Sequence, residues 1–169
     1  MKKTILTSMI CVAALSAMAQ EWLGEYTWVN TPEEKALIEK TVEEGAQQVN
    51  RLIRSIARGR LVESTKPVET LTFSMTTNVV TMIRGDGETP VSSLADGSKV
   101  EWKRKNGKKF TVTQTLEGNV LTQTFTDSDD SMRVSKYTFA EDGKSLELQI
   151  TINSSSLKTP LLYTLTYTK

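Results

Sequence analysis

The chain has 169 residues, of which 38% are hydrophobic and 24% charged, and its formal net charge is +1. This is the composition of an ordinary globular domain, and the near-neutral charge gives no support for nucleic acid as a partner. The sequence contains no histidine and a single cysteine, Cys11. Beyond Cys11 the chain therefore excludes Ser-His-Asp and Cys-His catalysis, thiol redox chemistry and zinc sites built on histidine or cysteine.

Residues 1–19 have the pattern of a secretory signal peptide of bacterial type. Lys2 and Lys3 precede an apolar run from Ile5 to Ala17, and Ala17-Met18-Ala19 is a small-x-small cleavage site. The apolar run is too short for a membrane-spanning helix, and no second long run follows it. We therefore expect cleavage near Ala19-Gln20 and a periplasmic or secreted product with no integral membrane segment. Loss of the two lysines from a chain of charge +1 leaves a charge of −1.

The first two elements after the signal peptide are predicted to be a strand and a helix. The segment GEYTWV, from Gly24 to Val29, has the aromatic and β-branched residues of a strand. Thr31 can act as the N-cap of a helix, and Pro32 suits its first position. The pattern predicts a long helix over about 32–58.

Glycines mark where this helix changes or ends, and its side chains fall on two faces. Gly45 could kink the helix or divide it into two, and Gly59 can end it. Arg51, Arg54 and Arg58 share one face, which suits a solvated helix end or could attract anionic ligands or lipid head groups. The apolar residues at helical spacing predict the face turned towards the core: Ile38, Val42, Val49, Leu52, Ile53 and Ile56.

From Pro67 onward the apolar residues alternate instead of following helical spacing, as at Leu71, Phe73 and Met75. Turn signals recur at short intervals: Gly85-Asp86-Gly87, Asp96-Gly97, Asn106-Gly107, Glu117-Gly118 and Asp142-Gly143. The pattern predicts a mainly β protein, an antiparallel up-and-down (meander) β-barrel of roughly 8–10 strands with the helix covering one end. Residues 20–169 are predicted to form this single domain. The first strand should pair with the last, over 161–168, because closure leaves no exposed edge.

One hairpin, FTVTQTLEGNVLTQTF (110–125), indicates which side chains face the barrel interior. A two-residue turn at Glu117-Gly118 would pair Gln114 with Leu121. One face is then apolar except for Gln114 and Gln123, and the other carries threonines, which suit a solvated face.

The neighbouring hairpins extend the same inner face. A three-residue loop over Lys105-Asn106-Gly107 pairs Trp102 with Phe110. A four-residue loop at EDGK pairs Phe139 with Leu146.

Four polar side chains fall on this predicted inner face: Gln114, Gln123, Ser135 and Arg133. An unpaired buried amide costs about 1–3 kcal/mol, so such groups are paired, hydrated or used by a ligand. An internal cavity explains them more simply than a filled, internally satisfied core, which is the alternative. We predict that Arg133, with Gln123 and Ser135, anchors the polar head of a mainly apolar ligand; otherwise Arg133 simply reaches water at an open strand end. The aromatic residues predicted to line the ligand's tail are Phe110, Phe139 and Tyr163.

The order of elements resembles that of the calycins, the superfamily of lipocalins and intracellular fatty-acid-binding proteins. A strand with GEYTW is followed by a helix, a strand meander and the closing strand LLYTLTYTK. Segments such as DGSKVEWKR and EDGKSLELQITI are similar to those of uncharacterised exported bacterial lipocalin-like proteins. The resemblance implies a small-ligand-binding barrel. It does not extend to the Arg-x-Tyr clamp of the fatty-acid-binding family, because Leu165 stands where the arginine would be, ahead of Thr166-Tyr167.

The sequence therefore favours an exported barrel that sequesters or carries a small apolar or amphipathic molecule, with an anionic head group as one option. We expect a monomer with no cofactor and no enzymatic activity. DSDD (127–130) lacks the glycine and distal glutamate of a calcium loop, so no metal site is expected. The alternative is an interaction or inhibitor protein with a filled core, which would show an apolar outer patch around Trp22, Leu23 and Trp28.

Overall fold

The computed structural model describes residues 21–169, in which two helices and ten strands follow one another. The predicted signal peptide over 1–19 lies outside the described residues. The helices are α1 (Pro32–Gln48) and α2 (Arg54–Thr65), joined by a single 3₁₀ turn (Arg51–Ile53). The strands are β1 (Gly24–Trp28), β2 (Thr70–Thr76), β3 (Val79–Arg84), β4 (Val91–Leu94), β5 (Val100–Lys103), β6 (Lys109–Glu117), β7 (Val120–Thr126), β8 (Met132–Phe139), β9 (Ser145–Asn153) and β10 (Leu161–Thr168).

The ten strands form one antiparallel sheet in the order β4-β3-β2-β1-β10-β9-β8-β7-β6-β5. The first strand pairs with the last, with Trp28 opposite Tyr167, as the sequence predicted. The end strands β4 and β5 are not neighbours in the described sheet. Instead, the segment after β4 reaches β6, where Asp96 bridges to Thr115 and the Leu116 N–H donates to the Ala95 carbonyl. The result is a nearly closed barrel with a helix pair, which confirms the predicted fold class.

The helix differs from the prediction in where it breaks and where it ends. It divides after Gln48 rather than at Gly45, and it runs through Gly59 to Thr65. Asn50 explains the break, because its side chain accepts a hydrogen bond from the Leu52 N–H at 3.0 Å and caps the 3₁₀ turn. Gly45 is buried inside α1 instead, where a Cβ would lie 2.8 Å from side-chain atoms of both Leu61 and Leu161.

The break also corrects the predicted apolar face. Val42 is buried and Ile38 is half-buried against the core. Leu52, Ile53 and Ile56 were predicted to turn inward and are instead 88%, 51% and 59% exposed. The prediction assumed one continuous helix, and the change of direction at the 3₁₀ turn carries these residues away from the barrel.

The registers of the meander agree with the prediction except at one turn. Trp102 pairs with Phe110 and Phe139 with Leu146, as predicted from the loops that precede each pair. The β6–β7 turn was predicted at Glu117-Gly118 and lies at Gly118-Asn119 instead. The reason is that Gly118, with φ +59°, occupies the first loop position, as a type II′ turn requires.

This shift moves the pairing by two residues and therefore leaves the faces unchanged. Gln114 lies opposite Gln123 rather than Leu121, and both amides still point inward. The outer patch expected of an interaction protein is not formed by Trp22, Leu23 and Trp28. Trp22 is 2% exposed, and the other two are partly buried against the core.

Candidate ligand-binding site

A cavity of about 280 Å³ lies inside the barrel at the end where β8 begins and α2 ends. The end of α2 contributes Glu63 and Ser64 to its lining, and the segment that leads into β2 contributes Lys66, Pro67 and Val68. Side chains of the strands form most of the remaining wall, and the segments between the strands contribute Arg104, Lys108, Asp127, Ser131 and Ser154. The apolar and aromatic members are Leu71, Met82, Trp102, Phe110, Phe125, Met132, Tyr137, Leu148, Ile150, Ile152, Leu165 and Tyr167.

Three of the predicted site residues line this cavity, namely Arg133, Ser135 and Phe110. The other four do not. Phe139 packs at the opposite end of the barrel, and Tyr163 is buried with its hydroxyl directed to the Thr65 carbonyl at 3.4 Å. Gln114 and Gln123 lie below the cavity, bonded to each other. Any contact of these seven side chains with a ligand stays a prediction.

Arg133 is the polar side chain that most clearly faces the cavity without a charged partner. Its Nη1 donates to the Ser64 carbonyl at 2.6 Å, and its Nε lies 3.5 Å from Ser135 Oγ. Within residues 21–169, no Asp or Glu oxygen lies within 4.0 Å of its guanidinium nitrogens. A half-buried guanidinium held only by neutral oxygens has donors left for an anionic group.

Three other basic side chains that line the cavity (Arg84, Arg104 and Lys108) are already paired with carboxylates, and Lys66 is exposed to solvent. Arg84 Nη2 lies 2.6 Å from Asp86. Lys108 Nζ lies 3.0 Å from Asp127. Burial tends to raise the pKa of the Asp127 carboxyl, but hydrogen bonds from Lys108 and from main-chain N–H groups bring the pKa below its usual range. These pairs hold the rim of the cavity and leave Arg133 as the better candidate for a ligand.

Glu88 forms the third pair and also joins the two ends of the sheet. Its carboxylate accepts from Arg104 Nε at 2.9 Å and from the Lys105 N–H at 2.7 Å, across the gap between β4 and β5. Burial tends to raise the pKa of this carboxyl, but the hydrogen bonds from Lys105, Thr89 and Arg104 outweigh it and lower the pKa to about 2. Glu88 is therefore ionised at neutral pH and fixes the open side of the barrel.

Two tyrosines hold the segment after α2 over the cavity. Tyr167 donates to the Val68 carbonyl at 2.9 Å, and Tyr163 donates to the Thr65 carbonyl. Burial raises the pKa of both hydroxyls. They therefore stay neutral donors at any physiological pH and add no negative charge opposite Arg133.

The inward glutamines are satisfied by protein groups. Gln114 Nε2 donates to Ser93 Oγ at 2.6 Å and to the Val80 carbonyl at 3.1 Å. Gln123 Nε2 donates to Gln114 Oε1 at 2.6 Å. Tyr137 closes the network with a hydroxyl that donates to Gln123 Oε1 at 3.1 Å. Both amides are fully buried, so this part of the barrel is the internally satisfied core that the sequence left as the alternative.

One lining residue that the sequence did not single out is Arg84, and alternation alone would have found it. Arg84 follows Val80 and Met82 on the same face of β3. Tyr137 was predicted to face inward, opposite Leu148, and does so, but it was not predicted as a site residue.

No protein-family model matches the chain, and no curated protein matches it in sequence. Solved structures do match it in fold. A fatty-acid-binding protein from Manduca sexta is 18% identical, with a TM-score of 0.53 over 88% of this chain and 99% of that one. A zebrafish ileal bile acid-binding protein complexed with cholic acid is 11% identical, with a TM-score of 0.53 over 89% of this chain and 99% of that one.

The chain has the fold of the fatty-acid-binding proteins. The chain is also similar to a luciferase domain from the dinoflagellate Lingulodinium polyedrum, with 11% identity and a TM-score of 0.53 over 87% of this chain and 41% of that one. Likeness at this level assigns the architecture and leaves function to the site.

The described residues add two findings about chemistry and membranes. Within 21–169, no group of three or more His, Cys, Asp or Glu side chains is arranged to hold a metal ion. None of the helices in this range has the length and apolar character needed to cross a membrane.

Proposed function

We propose that this protein binds a small, mainly apolar molecule with an anionic head group inside its barrel, and that Arg133 receives the head group. The observation that carries the proposal is the half-buried Arg133 guanidinium, which faces the cavity without a carboxylate partner in the described part of the chain. The cavity wall offers apolar contact on either side, from Phe125 on β7 and Ile152 on β9, which both lie opposite Arg133. Neighbours of the same fold that bind fatty acid or cholic acid support the ligand class by analogy.

The charge around the cavity favours an anion. Five basic side chains line it (Lys66, Arg84, Arg104, Lys108 and Arg133), and four carboxylates lie on the lining or are paired with it (Glu63, Asp86, Glu88 and Asp127). Five positive and four negative charges leave a net charge of +1, which attracts a ligand of negative charge. An anion that reaches Arg133 can accept from the guanidinium N–H groups that Ser64 and Ser135 leave free, and it adds the attraction between opposite charges.

The test is competition against an apolar fluorescent probe, with octanoate and octanol as competitors matched in chain length. Arg133→Gln should weaken octanoate about tenfold or more and leave octanol within about twofold, since the lost contact is charge-assisted. Lys136→Gln is the matched control, because it removes one positive charge from the exposed outer face of the same strand. Equal affinities of octanoate for Arg133→Gln and the parent protein would refute the anchor.

We also propose that the protein acts outside the cytoplasm, on the strength of the pattern in residues 1–19. The exported form should begin at or near Gln20 and contain no thiol, because Cys11 lies in the removed segment. Intact mass of the exported protein is the measurement. A mass that includes Cys11 would show that the cleavage site is wrong.

A further inference from the structure

The cavity occupies one end of the barrel because hydrogen-bonded side chains close the cross-section below it. Tyr137, Gln123 and Gln114 link the neighbouring strands β8, β7 and β6, and each is at most 3% exposed. Gln114 then crosses the interior to the Val80 carbonyl on β3 and Ser93 Oγ on β4. We call the side chains of Tyr137, Gln123 and Gln114 the floor. An alkyl chain that passed the floor would leave buried amide and hydroxyl groups unpaired, at about 1–3 kcal/mol for each. The floor is therefore a real limit to the depth of the site.

The space beyond the floor is filled by aromatic rings. Trp22 stacks on Phe139 with ring centroids 4.7 Å apart, and Phe73 meets Phe139 edge-on at 5.2 Å. These three rings and Tyr26 are at most 2% exposed. Interiors packed in this way have no room for an extra chain without shifting several side chains.

Given the proposed function, on which this rests, we infer that the ligand is a compact monoanion with about ten non-hydrogen atoms, the size of octanoate, rather than a long-chain lipid. The cavity volume of about 280 Å³ sets the size. This volume lies just below the range of roughly 300–1,000 Å³ that is usual for small-molecule sites.

The first experiment measures the affinity of straight-chain alkanoates from butanoate to hexadecanoate, below their micellar concentrations. Each added methylene should tighten binding about fourfold while it enters the cavity. The gain should stop near eight carbons, so hexadecanoate should bind no more tightly than octanoate. A gain that continues to hexadecanoate overturns the size limit and leaves the proposed function intact. Absence of Arg133-dependent binding at every length refutes the proposed function instead.

The second experiment enlarges the cavity and uses a variant on the same strand as its control. Leu148 lines the cavity on β9, whereas Leu146 lies two residues away on the same inner face, is equally buried, and packs at the filled end. Leu148→Ala should move the optimum to chains about two carbons longer, and Leu146→Ala should leave it unchanged. An unmoved optimum in Leu148→Ala, or the same shift in both variants, overturns the inference. The alkanoate series on the parent protein decides the size limit even where a variant does not fold.

Discussion

Replacement of Gln114 by leucine removes the centre of the buried network that closes the cavity from below. Gln114 is fully buried, donates to Ser93 Oγ and the Val80 carbonyl, and accepts from Gln123 Nε2. Leucine fills most of the same volume but accepts and donates nothing. Gln114→Leu therefore leaves the buried amide donor of Gln123 and the carbonyl of Val80 without these partners.

The cost follows from the number of groups left unpaired. Each buried polar group that loses its partner costs about 1–3 kcal/mol. With partial rearrangement we expect Gln114→Leu to lower the free energy of unfolding by about 3 kcal/mol. At about 2–4 °C for each kcal/mol in a domain of this size, the melting temperature should fall by about 6–12 °C. Gln123→Leu should cost about as much, because it strands the Tyr137 hydroxyl and the Gln114 carbonyl oxygen.

The double variant tests whether the two amides act as a pair. Gln114→Leu with Gln123→Leu removes both partners, so its cost should fall short of the sum of the single costs by about 1–3 kcal/mol. Urea unfolding followed by circular dichroism and tryptophan fluorescence measures all three. Gln149→Leu on the outward face of β9 is the control and should change stability by about 0.5 kcal/mol or less. Additive single costs would show that the amides are not bonded to each other and that the floor is not closed.

Three further perturbations test how the barrel is held together, each by thermal or urea unfolding. Glu88, whose pKa falls from 4.5 unfolded to about 2 folded, contributes stability that is present above pH 4.5 and lost as the pH falls towards 2. Allowing for solvent screening, the contribution of Glu88 to the free energy of unfolding is about 1–2 kcal/mol. Glu88→Gln should therefore reduce the loss of stability between pH 4.5 and about pH 2. An unchanged pH dependence of stability would contradict the lowered pKa of Glu88. Gly143→Ala should lower the free energy of unfolding by about 2–4 kcal/mol, because the new Cβ would collide with the Glu21 main-chain carbonyl. Gly118 has a similar positive φ but open space around it, so Gly118→Ala should cost about 1 kcal/mol. Equal costs for the two variants would exclude the collision. Glu34→Ala should lower the free energy of unfolding by about 1.5–3 kcal/mol, because the Glu34 carboxylate accepts from the Trp28 indole at 2.7 Å and from a main-chain N–H of β10 at 2.6 Å. Glu33 is exposed, so Glu33→Ala should be near neutral. Equal effects would show that Glu34 does not hold the helix to β1 and β10.

The barrel could be predicted because its determinants are local. Alternation gives the face of each strand, and loop length gives the register, as at the EDGK loop. Because Gly118 is the first residue of the β6–β7 turn and not the second, the pairing of these two strands is shifted by two residues from the prediction. A shift of two residues keeps every side chain on its predicted face. The predicted closure of β1 on β10 held because an unpaired last strand would expose a long apolar edge.

The helix break and the floor could not be predicted in the same way. The apolar spacing from Ile38 to Ile56 is continuous in sequence, whereas the helix stops where Val49 becomes extended and Asn50 caps the next turn at Leu52. Buried polar residues are equally ambiguous, because a glutamine that faces inward can bind a ligand or another glutamine. In the structure Gln114 and Gln123 are bonded to each other, because the observed register places them directly opposite each other. Within residues 21–169 no carboxylate is bonded to Arg133, and Arg133 lies opposite Ile152, as the predicted EDGK loop requires.

A crystal structure of the protein grown with octanoate tests the central claim most directly. We expect the carboxylate within about 3 Å of the Arg133 guanidinium and the alkyl chain above the Gln114–Gln123 pair. Octanoate bound only on the outer surface, or an empty interior at saturating octanoate, would contradict the account.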